Sequence, residues 1–146
     1  MPIENVIIKQ ASIEEVYALY LKIPDFKNPY TSEEFNERLK APHLILVAYC
    51  ENTPVGFKIG YATDKHEFYS WVGGTMPAYR NLRIASKLLI EQEKWAKYNH
   101  YNTIKVKTRN CFKNMLKLLV SHDYLITAIE TRTSINQNRI IFKKIL

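Results

Sequence analysis

The chain has 146 residues, of which 47% are hydrophobic and 24% are charged. These fractions are typical of a folded globular protein and exclude an intrinsically disordered or fibrous chain. A chain of this length usually forms one domain, so we predict a single domain over residues 1–146. The formal net charge of +7 favours an anionic partner, but it does not distinguish among coenzyme phosphates, nucleic acid and acidic substrates.

The sequence contains no run of eighteen uninterrupted apolar residues, and its first residues do not have the pattern of a secretory signal. We therefore expect a cytoplasmic protein that does not cross a membrane. Cys50 and Cys111 are too few for a disulfide framework and lack the spacing of metal ligands, so we interpret them as free thiols and expect no metal.

The first part of the chain predicts one strand and two helices. Residues 3–9 alternate weakly and favour a strand. Ser12 and Glu15 have the spacing of a capping box, which indicates that a helix begins there. Thr31 and Glu34 repeat this pattern and predict a second, shorter helix.

Three strands follow in the predicted order. Residues 43–50 are nearly all apolar, residues 51–54 are typical of a turn, and the apolar residues of 55–61 alternate, which together predict a hairpin. Residues 67–72 are rich in aromatic side chains and favour a third strand of this group. Gly73 and Gly74 directly after it indicate a bulge, or a backbone that another group approaches closely.

A central helix is predicted after Pro77, which stops the strand. The helical period begins at Leu82 and continues to about Asn99. The side chains expected on the packed face are Ala85, Leu88, Leu89, Gln92, Trp95 and Ala96.

The start of this helix carries the charge that a helix N-terminus disfavours. Arg80, Arg83 and Lys87 lie there, and no acidic residue occurs between Pro77 and Glu91. Free N–H groups and the helix dipole prefer an anion at this end, so we expect an external phosphate to supply it. The alternative is that these cations are ordinary solvated surface residues.

The last part of the chain predicts a strand, a helix and two strands. Residues 103–108 alternate and form a strand after the central helix, which suggests a parallel crossover. Asn110 is expected to open the next helix, followed by strands over 125–129 and 139–146.

The segment from Thr75 to Ala85 resembles the acetyl-CoA signature of the GNAT superfamily of N-acetyltransferases. Four residues match this pattern, namely Pro77, Tyr79, Arg80 and Ala85. Arg83 stands where the family has its middle glycine, and Asn81 replaces the glycine that follows the first arginine. The order of predicted elements also resembles the GNAT arrangement along essentially the whole chain.

The resemblance implies an α/β fold with a mixed sheet of about seven strands and about four helices. It further implies that the sheet splays between strands 4 and 5, that acetyl-CoA is the co-substrate, and that the first two helices lie beside the acceptor pocket. Gly73 and Gly74 occupy the place where that opening would begin.

The resemblance also assigns residues to coenzyme binding. Backbone amides around the helix start would wrap the pyrophosphate beside Arg80, and these belong to Asn81, Leu82, Arg83, Ile84, Ala85 and Ser86. Amides of Gly74, Thr75 and Met76 would bind the acetyl and pantetheine groups. Asn110 resembles a family asparagine that contacts CoA, and its alternative role is a helix N-cap.

Acetyl transfer to an amine needs a proton acceptor and a proton donor. Glu67 is the candidate base, because a regular strand places it on one face with Tyr69, Trp71 and Gly73. Its alternative is a solvated loop carboxylate, and His66 is a second candidate base.

The family often has a tyrosine as proton donor in the helix after strand 5. The corresponding position is Leu119 in this chain, so Tyr124 or a water molecule would have to replace it.

These observations predict an N-acetyltransferase that moves the acetyl group of acetyl-CoA directly to a primary amine of a small molecule or peptide. One alternative is a sensor that binds acetyl-CoA without turnover, which the departures at Arg83 and Leu119 favour. Another is a basic nucleic-acid-binding module, which the acidic residues of the central helix disfavour. A homodimer is compatible with all of these readings.

Overall fold

The computed structural model describes residues 5–80 and 83–146. The helices and strands in chain order are β1 Val6–Gln10, α1 Ile13–Lys22, α2 Ser32–Arg38, β2 His43–Cys50, β3 Thr53–Ala62, β4 Glu67–Thr75, α3 Ile84–Tyr98, β5 Thr103–Arg109, α4 Lys113–Ser121, β6 Leu125–Glu130 and β7 Arg139–Ile145. Single 3₁₀ turns lie at Pro77–Tyr79 and Ile135–Gln137. The predicted order of elements is confirmed.

The seven strands form one sheet in the order β1-β2-β3-β4-β5-β7-β6. The β4–β5 pair is parallel, as predicted from the strand–helix–strand crossover, and the other pairs are antiparallel. The predicted mixed sheet with four helices is therefore confirmed.

Both helices of the first part begin at the predicted capping boxes. The Ser12 hydroxyl accepts a hydrogen bond from the Glu15 amide at 3.1 Å, and the Thr31 hydroxyl accepts one from the Glu34 amide at 3.2 Å. In each case the glutamate side chain accepts a bond from the capping residue's own amide. These reciprocal bonds satisfy amides that have no partner inside the helix.

The sheet separates two hydrophobic cores. On one face, which we call the α1–α2 face, Val16, Tyr20 and Phe35 pack against Phe57 and Ile59. On the other, the α3 face, the core consists of residues from α3, α4 and the sheet, including Leu88, Leu89, Ala96, Phe68, Ile104, Leu119 and Phe142. Burial of apolar surface on both faces holds β4 and β5 in fixed positions.

Helix α3 lies close to the sheet because β3 has glycine beneath it. A Cβ atom on Gly60 would lie 2.3 Å from the Phe68 ring and 2.8 Å from the Gln92 side-chain nitrogen. Most of the predicted packed face of α3 is buried, but Ala85 is exposed and Ile84 is buried instead.

The expected irregularity of β4 lies earlier than the two glycines. Gly73 and Gly74 pair regularly with β3, whereas Ile59 pairs with Val72 and Gly60 pairs with Ser70. The extra residue of the bulge is therefore Trp71. Of the two predictions for the glycines, the bulge was wrong, because the extra residue is Trp71, whose side chain packs into the α1–α2 core. The other, a backbone that another group approaches closely, stays a prediction.

Helix α4 begins later than predicted. Its N-cap is Phe112, and the Asn110 side-chain amide donates to the Ile135 carbonyl at 3.2 Å. Asn110 is thus not the helix N-cap, since it links the end of β5 to the loop between β6 and β7. Across residues 5–80 and 83–146, none of the helices is both long and apolar enough to cross a membrane.

Candidate functional site

The sheet opens between β4 and β5. The two strands pair only from Glu67 and Thr103 to Ser70 and Val106. Beyond this point β4 continues beside β3 alone, and β5 continues beside β7 alone. The splay predicted between strands 4 and 5 is therefore present, and it exposes the backbone edge of β4 after Ser70.

Strand geometry identifies which amides face this opening. The Met76 amide donates to the Val55 carbonyl of β3 at 2.8 Å, so it is already paired. Because successive amides of a strand point to opposite edges, the Gly74 amide also points to β3, and those of Gly73 and Thr75 point into the opening. Of the three amides predicted to bind the acetyl and pantetheine groups, only that of Thr75 faces the opening, and Gly73 joins it.

The bulge at Trp71 also changes which face the following residues occupy. A Cβ atom on Gly73 would contact the Lys58 side chain at 3.6 Å, whereas one on Gly74 would contact the Phe26 ring at 3.0 Å. Gly73 therefore faces α3 and Gly74 faces α1. The prediction that Gly73 shares a face with Glu67 was wrong, since it assumed a regular strand.

A buried lysine lies beside the opening on the α3 face. Lys58 is 7% exposed and makes no hydrogen bond or ion pair with the described residues. Burial lowers its pKa to about 8, and the nearby Glu93 carboxylate opposes this shift. The hydroxyl of Ser70 and the side-chain amide of Gln92 are also buried without a hydrogen-bond partner.

The turn after β4 is held by Arg80. Its Nε donates to the Thr75 carbonyl at 3.2 Å, and its guanidinium forms an ion pair with Asp25 in the α1–α2 loop. The expectation of an external anion is thus corrected for Arg80, because the chain supplies this anion from a distant segment. Both side chains remain partly exposed, so the pair lies at the surface.

The start of α3 has an unusual backbone. Its N-cap is Arg83, with φ 61 and ψ 20 in the left-handed region, and the Arg83 side chain makes no capping hydrogen bond. This is the position where the resemblance places a glycine, and the backbone conformation explains that preference. Ala85 is exposed in the first turn, and Asn81 and Leu82 lie outside the described residues.

Ser86, also in the first turn of α3, forms a hydrogen bond with α4. Its Oγ lies 2.9 Å from Nε2 of His122, the C-cap of α4. This contact fixes the start of α3 relative to α4. The first turn of α3 contains no acidic side chain, so its free amides face an environment suited to an anion.

The candidate base Glu67 lies at the closed end of the β4–β5 pair, opposite Thr103. One carboxylate oxygen accepts from Lys143 Nζ at 2.8 Å and the other from the Thr63 hydroxyl at 3.2 Å. Along the strand, Glu67 is about 20 Å from Gly73. The structure therefore does not bring Glu67 together with the amides that face the opening.

The second candidate base lies at the same end. The His66 ring is 3.3 Å from the Asn102 side-chain amide, and its carbonyl accepts the Asn102 backbone amide at 2.7 Å.

Tyr124 is 2% exposed and donates to the Glu93 carboxylate at 2.9 Å. Burial first, and then the Glu93 charge, raise the pKa of its hydroxyl far above the ordinary value. Lys144 binds the other oxygen of Glu93 at 3.0 Å. Leu119, at the position of the family tyrosine, is fully buried in the α3-face core.

A cationic and aromatic surface, not identified from the sequence, lies on the α1–α2 face. The Arg38 guanidinium is 4.8 Å from the centre of the Trp71 ring, and its Nη1 donates to the Tyr61 hydroxyl at 2.7 Å. Lys107 Nζ lies 5.7 Å from the centre of the Tyr69 ring. The alternation of lysines in β5 was the one sequence signal for this surface.

Within residues 5–80 and 83–146, no cluster of three or more histidine, cysteine or acidic side chains is arranged to hold a metal ion. Cys50 is a buried free thiol and Cys111 an exposed one.

Solved structures with this fold cover nearly the whole chain. Ard1 from Thermoplasma volcanium is 15% identical, with a TM-score of 0.83 over 97% of this chain and 98% of that one. The ribosomal-protein-S18-alanine N-acetyltransferase from Escherichia coli is 14% identical, with a TM-score of 0.83 over 96% and 93%. A GNAT family acetyltransferase from Elizabethkingia anophelis with acetyl-CoA bound is 16% identical, with a TM-score of 0.75 over 98% and 99%.

These identities show a shared fold. A search of proteins with curated functions finds no significant match. The sequence does match the model of the Acetyltransferase (GNAT) family over residues 12–123, a span that includes the opened strand, the Arg83 turn and α3. The chain therefore belongs to the GNAT acetyltransferase family.

Proposed function

We propose that this protein is an acetyl-CoA-dependent N-acetyltransferase that transfers the acetyl group directly to a primary amine. The observation that carries the proposal is the opening between β4 and β5, where the amides of Gly73 and Thr75 lack strand partners. The opening continues to the start of α3, where the Arg83 side chain provides no cap and the amides of the first turn are free to bind an anion. A thioester arm and a diphosphate need these two kinds of donor in this order.

In this proposal the Gly73 and Thr75 amides donate to the thioester end of acetyl-CoA and polarise its carbonyl. Amides of Arg83, Ile84, Ala85 and Ser86 hold the diphosphate, and the resemblance assigns the amides of Asn81 and Leu82, outside the described residues, to the same task. Arg80 keeps this turn against β4 through the Thr75 carbonyl. Asn110 stays a candidate for a CoA contact, because it lies at the open end of β5.

The two residues predicted to accept and donate protons already have partners within the protein. Glu67 is occupied by Lys143 and Thr63, and Tyr124 donates to Glu93. We propose that the acceptor amine reaches the opening already neutral and attacks the thioester carbonyl, so that the C–N bond forms as the C–S bond breaks. The proton that the nitrogen then loses passes through water to the departing thiolate.

Binding is tested by titrating acetyl-CoA into the protein in a calorimeter. Arg80→Glu removes the guanidinium that orders the turn and places a carboxylate near Asp25, so we expect affinity to fall about tenfold or more. Lys97→Glu makes the same charge change at the far end of α3 and serves as the control. Unchanged affinity in Arg80→Glu, or no binding by the wild type, would contradict the proposal.

Turnover is tested by measuring CoA release with a panel of primary amines. A sensor that binds acetyl-CoA without turnover is the second candidate, because Leu119 is buried and apolar where the family often has its tyrosine. Thermal stabilisation by acetyl-CoA without CoA release for any amine would favour the sensor.

We also propose a homodimer that forms through the edge strand β6. Leu125, Ile126 and Ile129 of this strand are 69%, 57% and 57% exposed, which is unusual for large apolar side chains at an open sheet edge. Sedimentation velocity over a range of concentrations tests this, and a monomer at all concentrations would contradict it.

A further inference from the structure

The face of the sheet opposite α3 carries like charges in register. Arg109 of β5 lies directly opposite Arg139 of β7, and Lys105 lies opposite Lys143. Like charges directly opposite one another across two strands are destabilising. An arrangement with two such pairs on one face therefore needs anions to balance it.

At the closed end of the β4–β5 pair, the chain supplies this anion itself. The Glu67 carboxylate binds Lys143 Nζ at 2.8 Å, and Lys143 is the cross-strand partner of Lys105. The charge of this pair is thus partly compensated within the protein.

At the open end the compensation is incomplete. Glu130 lies opposite Arg139, but its carboxylate pairs with Arg132 at 3.1 Å. The pKa of Glu130 is lowered first by the hydrogen bond from Arg132, with smaller contributions from Lys107 and Arg139, so one carboxylate serves several cations. Arg109 donates to the Gln137 carbonyl at 3.2 Å and forms no ion pair with an acidic side chain of the described residues.

Two cations lie over aromatic rings beside the opening. Lys107 lies over the Tyr69 ring, and Arg38 lies over Trp71. Arg139 lies two residues along β7 from Ile141, the cross-strand partner of Lys107, so Arg139 and Lys107 share this face of the sheet. Burial raises the pKa of the Tyr69 hydroxyl, and the charges of Arg139 and Arg38 act against this rise. The Trp71 indole N–H is buried and has no hydrogen-bond partner.

The cationic and aromatic surface lies beside the opening, on the side of the sheet opposite α3. The start of α3 lies on one face of the sheet, and Lys107, Tyr69 and Trp71 lie on the other. The opening after Ser70 joins the two faces. A second substrate that meets the thioester from the α1–α2 side would pass this cationic surface.

We propose, on the basis of the acetyl transfer proposed above, that the acceptor carries a carboxylate close to its reactive amine, and that Arg139, Lys107 and Arg38 bind this carboxylate. Guanidinium groups suit this task because their planar donors match the geometry of a carboxylate. The carboxylate belongs either to a free acidic amino acid or to an acidic residue near the N-terminus of a peptide.

The test uses pairs of acceptors that differ only in this charge. Peptides with Asp or Glu among their first three residues are compared with the same peptides carrying Asn or Gln. Free Asp and Glu are compared with their diamides, which retain the amine but no carboxylate. We expect kcat/KM to be about tenfold higher for the carboxylate member of the preferred kind, mainly through KM, since a hydrogen bond to a charged group has this strength. The kind of acceptor that reacts faster identifies the source of the carboxylate.

Two variants locate the effect. Arg139→Ala and Lys107→Ala should each reduce the carboxylate preference several-fold while acetyl-CoA affinity is retained, and added salt should reduce it in the wild type. Lys97→Ala, which removes a cation from the other face, should keep the preference.

Three results would overturn the proposal about the acceptor while the proposed function stands. These are equal rates for charged and neutral acceptors, a preference that survives in both variants, and a protein that binds acetyl-CoA but acetylates only amines without carboxylates. Absence of acetyl-CoA binding would instead overturn the proposed function, and the acceptor proposal with it.

Discussion

The backbone at Arg83 has a conformation that favours glycine over other residues. Its φ of 61 lies in the left-handed region, where a side chain costs roughly 1–2 kcal/mol and glycine costs nothing. The chain accepts this cost at the turn that leads into α3. A strained residue at such a position suggests that its side chain, a cation beside the helix start, has a use there.

We expect Arg83→Gly to raise the free energy of unfolding by up to about 1 kcal/mol, because relief of the left-handed strain exceeds the entropy that glycine adds to the unfolded chain. Urea denaturation measures this change. Lys94→Gly is the matched control, since Lys94 lies inside α3 and should lose about 1 kcal/mol. Equal destabilisation by both substitutions would show that the turn does not strain Arg83.

Lys58 is a second residue in an unfavourable environment, because its ammonium group is buried. Its pKa falls from 10.5 to about 8 because the charged form is buried. A folded-state pKa below the unfolded one means that the folded protein holds fewer protons between pH 8 and 10.5, so stability rises with pH in that window. Below pH 8 the full cost of about 3 kcal/mol remains.

We therefore expect Lys58→Met to stabilise the protein by about 2–3 kcal/mol at pH 7, and this advantage should disappear as the pH approaches 10.5. Denaturant unfolding of the variant and wild type at pH 7 and pH 10 tests the prediction. Lys97→Met, at an exposed position, should change stability little at either pH. An advantage that is the same at both pH values would mean that burial of charge is not its cause.

At the scale of the elements, local sequence signals predicted more than long-range ones. The capping boxes at Ser12 and Thr31 and the helical period of α3 act within a few residues, so they could be read directly. The bulge at Trp71 depends on packing against α1 and α2, which involves residues far away in the sequence. The Arg80–Asp25 pair was missed for the same reason, since 55 residues separate its members.

The contact of α3 with the sheet leads to a prediction about Gly60. A methyl group there would lie 2.3 Å from Phe68 and 2.8 Å from the Tyr69 carbonyl, so we expect Gly60→Ala to cost about 1–3 kcal/mol through overpacking. A methyl group on Gly56 would lie 3.0 Å from an Ile84 methyl group and 3.3 Å from the Gly74 carbonyl, which are longer distances, so Gly56→Ala should cost less. Thermal unfolding of both variants gives the order, and a smaller loss for Gly60→Ala would contradict this account of the packing.

At the scale of the whole molecule, the sheet separates the two hydrophobic cores and is open between β4 and β5, which we call the gap. The strands β1 to β4 form one part and β5 to β7 the other, and they are joined by the short paired stretch that ends at Ser70 and Val106. The family resemblance predicted this gap. The amides that face it could not be predicted, because the bulge determines which residues point to each edge.

The gap has a consequence that amide hydrogen exchange can measure. In the free protein, the Gly73 and Thr75 amides face no strand, so the 71–76 segment should exchange faster than the 46–50 segment of β2, which is paired on both sides. Acetyl-CoA should slow exchange in residues 71–76 and at the start of α3, since it would supply the missing acceptors. The 46–50 segment should not respond. If acetyl-CoA binds but leaves the 71–76 segment unchanged, the thioester arm does not occupy the gap, and another path across the sheet would have to be sought.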